Sequence, residues 1–194
     1  MTRIALVLLA GVLAGCAGLA GRPPASVSTA GIAGLTAWVA AGRLAVAAGS
    51  EGGSGGFVWQ QQGAETRLRL RGPLGAGAFE IASDGDQLAV TDAAGQVLGA
   101  DAHAALRSRL GADLPLSSLR YWMIGLPDPT STARVTESGA APLRIIEQNG
   151  WTIAYDAFTS AGGFALPTRV TATSGDVRLR LTVSDWTDLQ AKPE

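Results

Sequence analysis

The chain has 194 residues, 47% of them hydrophobic and 16% charged, which excludes a disordered chain and favours one domain with a sizeable core. Lys and Arg number 15 against 16 Asp and Glu, so a net charge of −1 offers no cationic field for nucleic acid. One Cys excludes an intrachain disulfide and a Cys-based zinc site, and one His excludes a multi-histidine metal cluster.

Arg3 is followed by an uncharged apolar run, Ile4 to Ala14. As a helix that run covers about 17 Å, short of the ~30 Å core of a bilayer, so it reads as the h-region of an export signal. Leu13-Ala14-Gly15-Cys16 then resembles the bacterial lipobox, in which the cysteine is acylated and becomes the first mature residue. The expected organisation is a signal peptide over 1–15, a lipidated N-terminus and flexible tether over 16–29, and one domain over 30–194. The tether is rich in Gly, Ala, Pro and Ser and includes Pro23-Pro24. Ala17 stands where an Asp would resemble an inner-membrane retention signal, which points to the outer membrane.

The spacing of Leu35 and Val39 predicts a short helix over about 32–40. Strands follow. Residues 42–48 carry Leu44 and Val46 in alternation, and 56–62 carry Phe57 and Trp59, with the glycine-rich stretch 49–55 between them as a hairpin loop. In 66–71, Leu68 and Leu70 face one side and Arg67, Arg69 and Arg71 the other, as on a half-buried sheet with a solvated outer face. Phe79 with Ile81, and Leu88 with Val90, repeat the alternation before a turn at 92–95. Asp101 is placed to cap a helix running to Leu110, with Ala102, Leu106 and Leu110 on one face and Gly111 ending it. A second helix starts at Ser117 or Ser118 and runs to Ile124, stopped by Gly125 and Pro127. Two hairpins close the chain, 143–156 around Asn149-Gly150 and 168–183 around Ser174-Gly175. The sum is a mainly β chain, one long antiparallel sheet interrupted by helices, with one face that needs cover.

Catalytic signals are weak. Gly52-Gly53-Ser54-Gly55-Gly56 has the letters of a nucleophile elbow, but that motif needs a strand before it and a helix after it. His103, on the first helix, is the sole available base. No Gly-Lys-Ser/Thr follows the glycines, so there is no phosphate loop, and the aspartates lack calcium-loop spacing. The chain reads as a non-enzyme without cofactor or metal, whose resources are an apolar sheet face, five tryptophans and a lipid anchor.

The middle of the chain carries a specific resemblance. Arg71-Gly72-Pro73-Leu74-Gly75 and the run from Leu114-Pro115-Leu116 through Trp122 to Gly125-Leu126-Pro127 resemble the LolB family of outer-membrane lipoprotein receptors. Gly42-Arg43-Leu44, Phe57-Val58-Trp59-Gln60-Gln61 and Asp185-Trp186 fit the same pattern, so the resemblance covers nearly the whole chain in order. It implies an incomplete antiparallel β-barrel of about eleven strands, with helices as lid or plug over an apolar cavity. It also implies a monomeric, lipid-anchored receptor at the periplasmic face of the outer membrane. Such a receptor takes acylated lipoproteins from the periplasmic carrier LolA and inserts them into the inner leaflet without ATP.

Under that resemblance Leu74 is the residue that targets the membrane; read without it, the leucine folds back onto the core. Candidates to line the cavity are Trp59, Leu68, Leu70, Phe79, Ile81, Leu88, Val90, Trp122, Met123, Trp151, Ile153 and Tyr155, for each of which plain core packing is the competing role. Arg43 either pairs inside the barrel or faces solvent. Two other readings stay open: a structural or assembly lipoprotein binding a protein partner on its concave face, and a lipoprotein hydrolase using Ser54. A dry, packed barrel favours the structural role; an open cavity favours transfer.

Overall fold

A computed structural model describes residues 31–72, 77–85, 87–98, 101–110 and 114–192. Within them run ten strands and two α-helices. In chain order these are β1 (Leu35–Ala48), β2 (Glu51–Gln62), β3 (Glu65–Arg71), β4 (Phe79–Ser83), β5 (Leu88–Asp92), α1 (Ala102–Leu110), α2 (Leu116–Met123), β6 (Ala133–Glu137), β7 (Arg144–Gln148), β8 (Trp151–Ala161), β9 (Phe164–Ser174) and β10 (Val177–Ala191). They form one sheet in the order β5-β4-β3-β2-β1-β10-β9-β8-β7-β6. Every pairing is antiparallel. The edges β5 and β6 do not pair with each other, so the barrel is open, and it has ten described strands against the eleven expected.

The segment between those two edges contains both helices. On α2, Leu119 lines one cavity with side chains of β1–β4 and β10, while Trp122 reaches Gln148 on β7. A flat ten-stranded sheet could not bring β3 and β7 to one short helix. The sheet therefore curls around α2, with its inner face and the helix sharing one core.

Alternation builds that face. β3 is buried at Thr66, Leu68 and Leu70 and exposed at Glu65, Arg67, Arg69 and Arg71. Arg67 and Arg69 both reach Glu80 of β4 on the outer face, at 3.1 and 2.7 Å. Such exposed pairs add little stability. β10 repeats the pattern with Leu179, Leu181 and Val183 inside. Arg43 faces solvent on the outside of β1. Where β1 meets β10, the register slips between Ala41 and Gly42. A Cβ on Gly42 would lie 2.0 Å from the Thr182 carbonyl oxygen, so the two backbones approach too closely there for any side chain.

The helix expected over 32–40 is not formed. A single 3-10 turn, Ile32–Gly34, leads straight into β1, which occupies the centre of the sheet. The hairpin loop expected over 49–55 is also shorter than predicted: the turn is Gly49-Ser50, and β2 starts at Glu51, paired with Ala48. The second helix starts at Leu116 and stops at Met123, before Gly125 at φ 81°. Asp101 does cap α1, its Oδ1 accepting the backbone N–H groups of His103 and Ala104. The apolar face expected for α1 involves Leu106 and Leu110, and its stop Gly111; these lie outside the described side chains and residues. Asn149 and Gly150, at φ 52° and 77°, form the tight β7–β8 turn.

Candidate functional site: the apolar inner face and its helix

The inner face is assembled from alternate residues of every long strand. Of the twelve cavity candidates, eleven are buried: Trp59, Leu68, Leu70, Phe79, Ile81, Val90, Trp122, Met123, Trp151, Ile153 and Tyr155. Leu88 is half-buried near the β5 edge. Nine of the twelve divide into two groups. Trp59, Leu68, Leu70 and Ile81 surround one apolar cavity with Leu44, Phe57, Leu179, Leu181 and three leucines of the α2 region, Leu114, Leu116 and Leu119. Trp122, Met123, Trp151, Ile153 and Tyr155 belong instead to the packed region where α2 ends. The cavity measures about 20 Å³, room for about one water molecule and not for a hydrocarbon chain.

Sequence reasoning did not place Leu44, Phe57, Leu114, Leu116, Leu119, Leu179 and Leu181 on the cavity wall. The signal existed for four of them, since Leu44, Phe57, Leu179 and Leu181 alternate within strands read from sequence. Leu116 and Leu119 are three apart on a helix and so share a face. Cys16 and Leu74 lie outside the described residues.

Two faces of α2 are held by different chemistry. On the face that carries Ser118 and Trp122, four apart, the fastenings are polar and buried. Trp122 Nε1 donates to Gln148 Oε1 at 2.9 Å, and Tyr155 donates its hydroxyl to the Trp122 carbonyl at 2.8 Å. Burial raises the Tyr155 phenol's pKa, so it stays a neutral donor. Ser118 donates to Asp128 Oδ2 at 2.7 Å, tying the helix to the loop that follows it. Gln148 secures that loop from the sheet. Its Oε1 also accepts the Asp128 N–H at 2.9 Å, and its Nε2 donates to the carbonyls of Asp128 and Ser131 at 2.7 and 2.9 Å. At the N-terminal end no side chain caps the helix. Leu114, Leu116 and Leu119 simply rest on the apolar cavity. Polar pins need their geometry kept, whereas apolar contacts exchange freely for others. The helix is thus pinned by polar bonds along one face, from Ser118 in its first turn to Trp122 in its last, and meets the cavity with apolar side chains on another.

Asp128 supplies a pH-dependent part of the fastening. Burial alone would raise its pKa. Hydrogen bonds from the Ser118 hydroxyl and the Thr130 N–H and hydroxyl, with the charge of Arg120, outweigh this and hold it below the ordinary 3.8. A carboxylate with a depressed folded pKa stabilises the fold above its unfolded pKa, and that contribution vanishes as pH falls through the folded one. Urea denaturation of the wild type should show stability declining below about pH 4. In Asp128→Asn that portion of the decline should be missing, while stability at neutral pH is lower.

Ser54 does not form an elbow. It lies within β2, opposite Ala45 of β1, and no helix follows it. His103 is exposed on α1.

A family model described as outer membrane lipoprotein LolB matches residues 36–186. The chain belongs to the LolB family. It is 34% identical over 188 residues to the outer-membrane lipoprotein LolB of Ectopseudomonas mendocina, covering 92% of both chains. It is also 33% identical to that of Pseudomonas fluorescens over 90% of both, and 34% identical to that of Stutzerimonas stutzeri over 92% and 91%. Among solved structures it is similar to a LolA superfamily protein of Nitrosomonas europaea, with a TM-score of 0.44 and 13% identity over 82% of this chain and 87% of that one. Membership in the LolB family makes the chain an outer-membrane lipoprotein of a Gram-negative bacterium. The matched span contains the whole inner face from β1 to Trp186, and α2 with both its polar pins and its three leucines.

Proposed function

We propose that this protein receives acylated lipoproteins from the periplasmic carrier LolA, holds their acyl chains against its inner face, and delivers them to the inner leaflet of the outer membrane. The observation that carries this reading is the split fastening of α2 over an apolar surface. Acyl chains are insoluble in water, and each CH₂ withdrawn from it stabilises by about 0.8 kcal/mol. In the resting protein α2 already covers the surface, so a chain enters by replacing Leu114, Leu116 and Leu119 rather than by filling a vacant hole. That displacement subtracts from the affinity, as any opening step does. It leaves the protein binding cargo less tightly than a bilayer does, which is what release to a membrane requires. Carrier, receptor and bilayer then form a descending series of free energies, and no nucleotide is needed.

The nearly filled interior is also what a purely structural lipoprotein would have, which keeps that second reading in view. The two differ in what a loaded carrier does. Carrier holding an acylated lipoprotein is mixed with the full chain bearing Cys16→Ala, and the cargo is followed by co-purification. Movement of cargo to this protein supports the receptor reading. Retention by a carrier shown to be competent supports the structural one.

Delivery assigns a role to Leu74. The leucine of the Pro73-Leu74-Gly75 sequence is apolar and suited to enter the bilayer and start release. Leu74→Glu should accept cargo from the carrier normally and lose most of its insertion into liposomes, read by flotation. Normal insertion by the variant would remove Leu74 from the mechanism.

A further inference from the structure

The inner side of β2 changes character along its length. From Phe57 onward the inward residues are Phe57, Trp59 and Gln61, all buried. Before Phe57 the same parity falls on Gly53 and Gly55. Their partners on β1 are Val46 and Leu44. Those two side chains therefore have no side chain directly opposite them on β2, and a groove of about 320 Å³ is left between them, Leu70 and Phe79. That volume is at the lower end of ligand-binding cavities, and the lining is mostly apolar.

The two glycines are there for different reasons. A Cβ on Gly55 would lie 2.1 Å from the Arg71 carbonyl oxygen, so the backbone itself requires glycine. A Cβ on Gly53 would meet nothing within 4 Å, and its φ is not in the left-handed region. The fold does not require glycine at 53; an open groove does.

Leu44 and Leu70 line both this groove and the cavity beneath Leu119 of α2. The groove thus leads from the surface, past two leucines, to the face of α2 that carries Leu116 and Leu119. Gly72 and Gly77, which flank the segment containing Leu74, border the same groove. Building on the receptor reading, we propose that this groove is the port through which a fatty acyl chain of the cargo enters and leaves the interior, and that the missing side chain at Gly53 keeps it open. A chain leaving by this port emerges beside Gly72 and Gly77.

The test uses the full chain with Cys16→Ala and a fluorescent long-chain fatty acid as probe. Gly53→Phe places a ring in the groove. Val58→Phe, on the exposed outer face of the same strand, is the control. The expected result is a Kd at least about tenfold weaker for Gly53→Phe, with Val58→Phe unchanged. Unchanged binding by a folded Gly53→Phe overturns the port and leaves the receptor reading intact, provided the wild type binds the probe and takes cargo. A wild type that does neither overturns both. If Gly53→Phe does not fold, stearic acid with a nitroxide at its tail is titrated into the protein lacking that substitution. Paramagnetic broadening of the Gly53 and Gly55 amides, but not of Gly63 at the far end of β2, supports the port, and broadening elsewhere alone overturns it.

Discussion

Trp122→Ala is expected to lower folding stability by about 3–5 kcal/mol, the largest single loss anticipated for this chain. Trp122 is 1% exposed, its ring centroid lies 5.9 Å from that of Trp151, and its Nε1 is held by Gln148. The substitution empties a site at the meeting point of α2, β7 and β8 and removes one polar pin. Gln148 keeps its bond from the Asp128 N–H, so the loss is mainly one of packing. Urea denaturation measures it. A functional sign should accompany it: with one of its polar fastenings removed, α2 no longer covers the inner face well, and the resting protein should bind a hydrophobic dye that the wild type excludes. A loss below about 1 kcal/mol without dye binding would mean that Trp122 does not fasten the helix.

Leu119→Ala should separate stability from affinity. Leu119 is 5% exposed and fills part of the wall of the cavity beneath α2. Its truncation should cost about 2–5 kcal/mol of stability, because the site cannot fully collapse. The same change weakens the closed arrangement that cargo must displace and enlarges the space a chain enters. Binding of a fluorescent fatty acid should therefore tighten, on the order of tenfold, while the protein becomes less stable. A leucine whose role is to hold cargo would show the reverse, with affinity and stability falling together. Equilibrium titration beside urea denaturation distinguishes the two, since opposite signs cannot arise from general damage to the fold.

The strands that alternate cleanly were legible from the residues alone. Leu68 and Leu70 against Arg67, Arg69 and Arg71 specify a half-buried strand whatever surrounds it, and Asn149-Gly150 specifies a tight turn. The start of β1 was not legible. Its register with β10 slips twice between Leu35 and Val39, which breaks the period of two and leaves a four-residue spacing that imitates a helix. The glycines of 51–56 read locally as a loop. They are a strand because β1 supplies a partner at every position, and that pairing is a property of the fold. β6 gave no signal because four of its five residues are exposed on an edge strand. At the site, the apolar face was readable, but the fastening of α2 was not. Gln148 and Asp128 are ordinary polar residues in a strand and a loop, and it is topology that brings both to Trp122 and Ser118.

The most direct measurement is contact between the interior and a cargo chain. All five tryptophans are buried, and Trp59 lies on the wall of the cavity beneath α2. Bromine atoms on an acyl chain quench tryptophan emission only at close range. A lipopeptide with brominated chains, titrated into the full chain bearing Cys16→Ala, should quench a large part of that emission, and its unbrominated counterpart should not. Binding of the brominated lipopeptide with no quenching would place the acyl chains outside the barrel and contradict storage under α2.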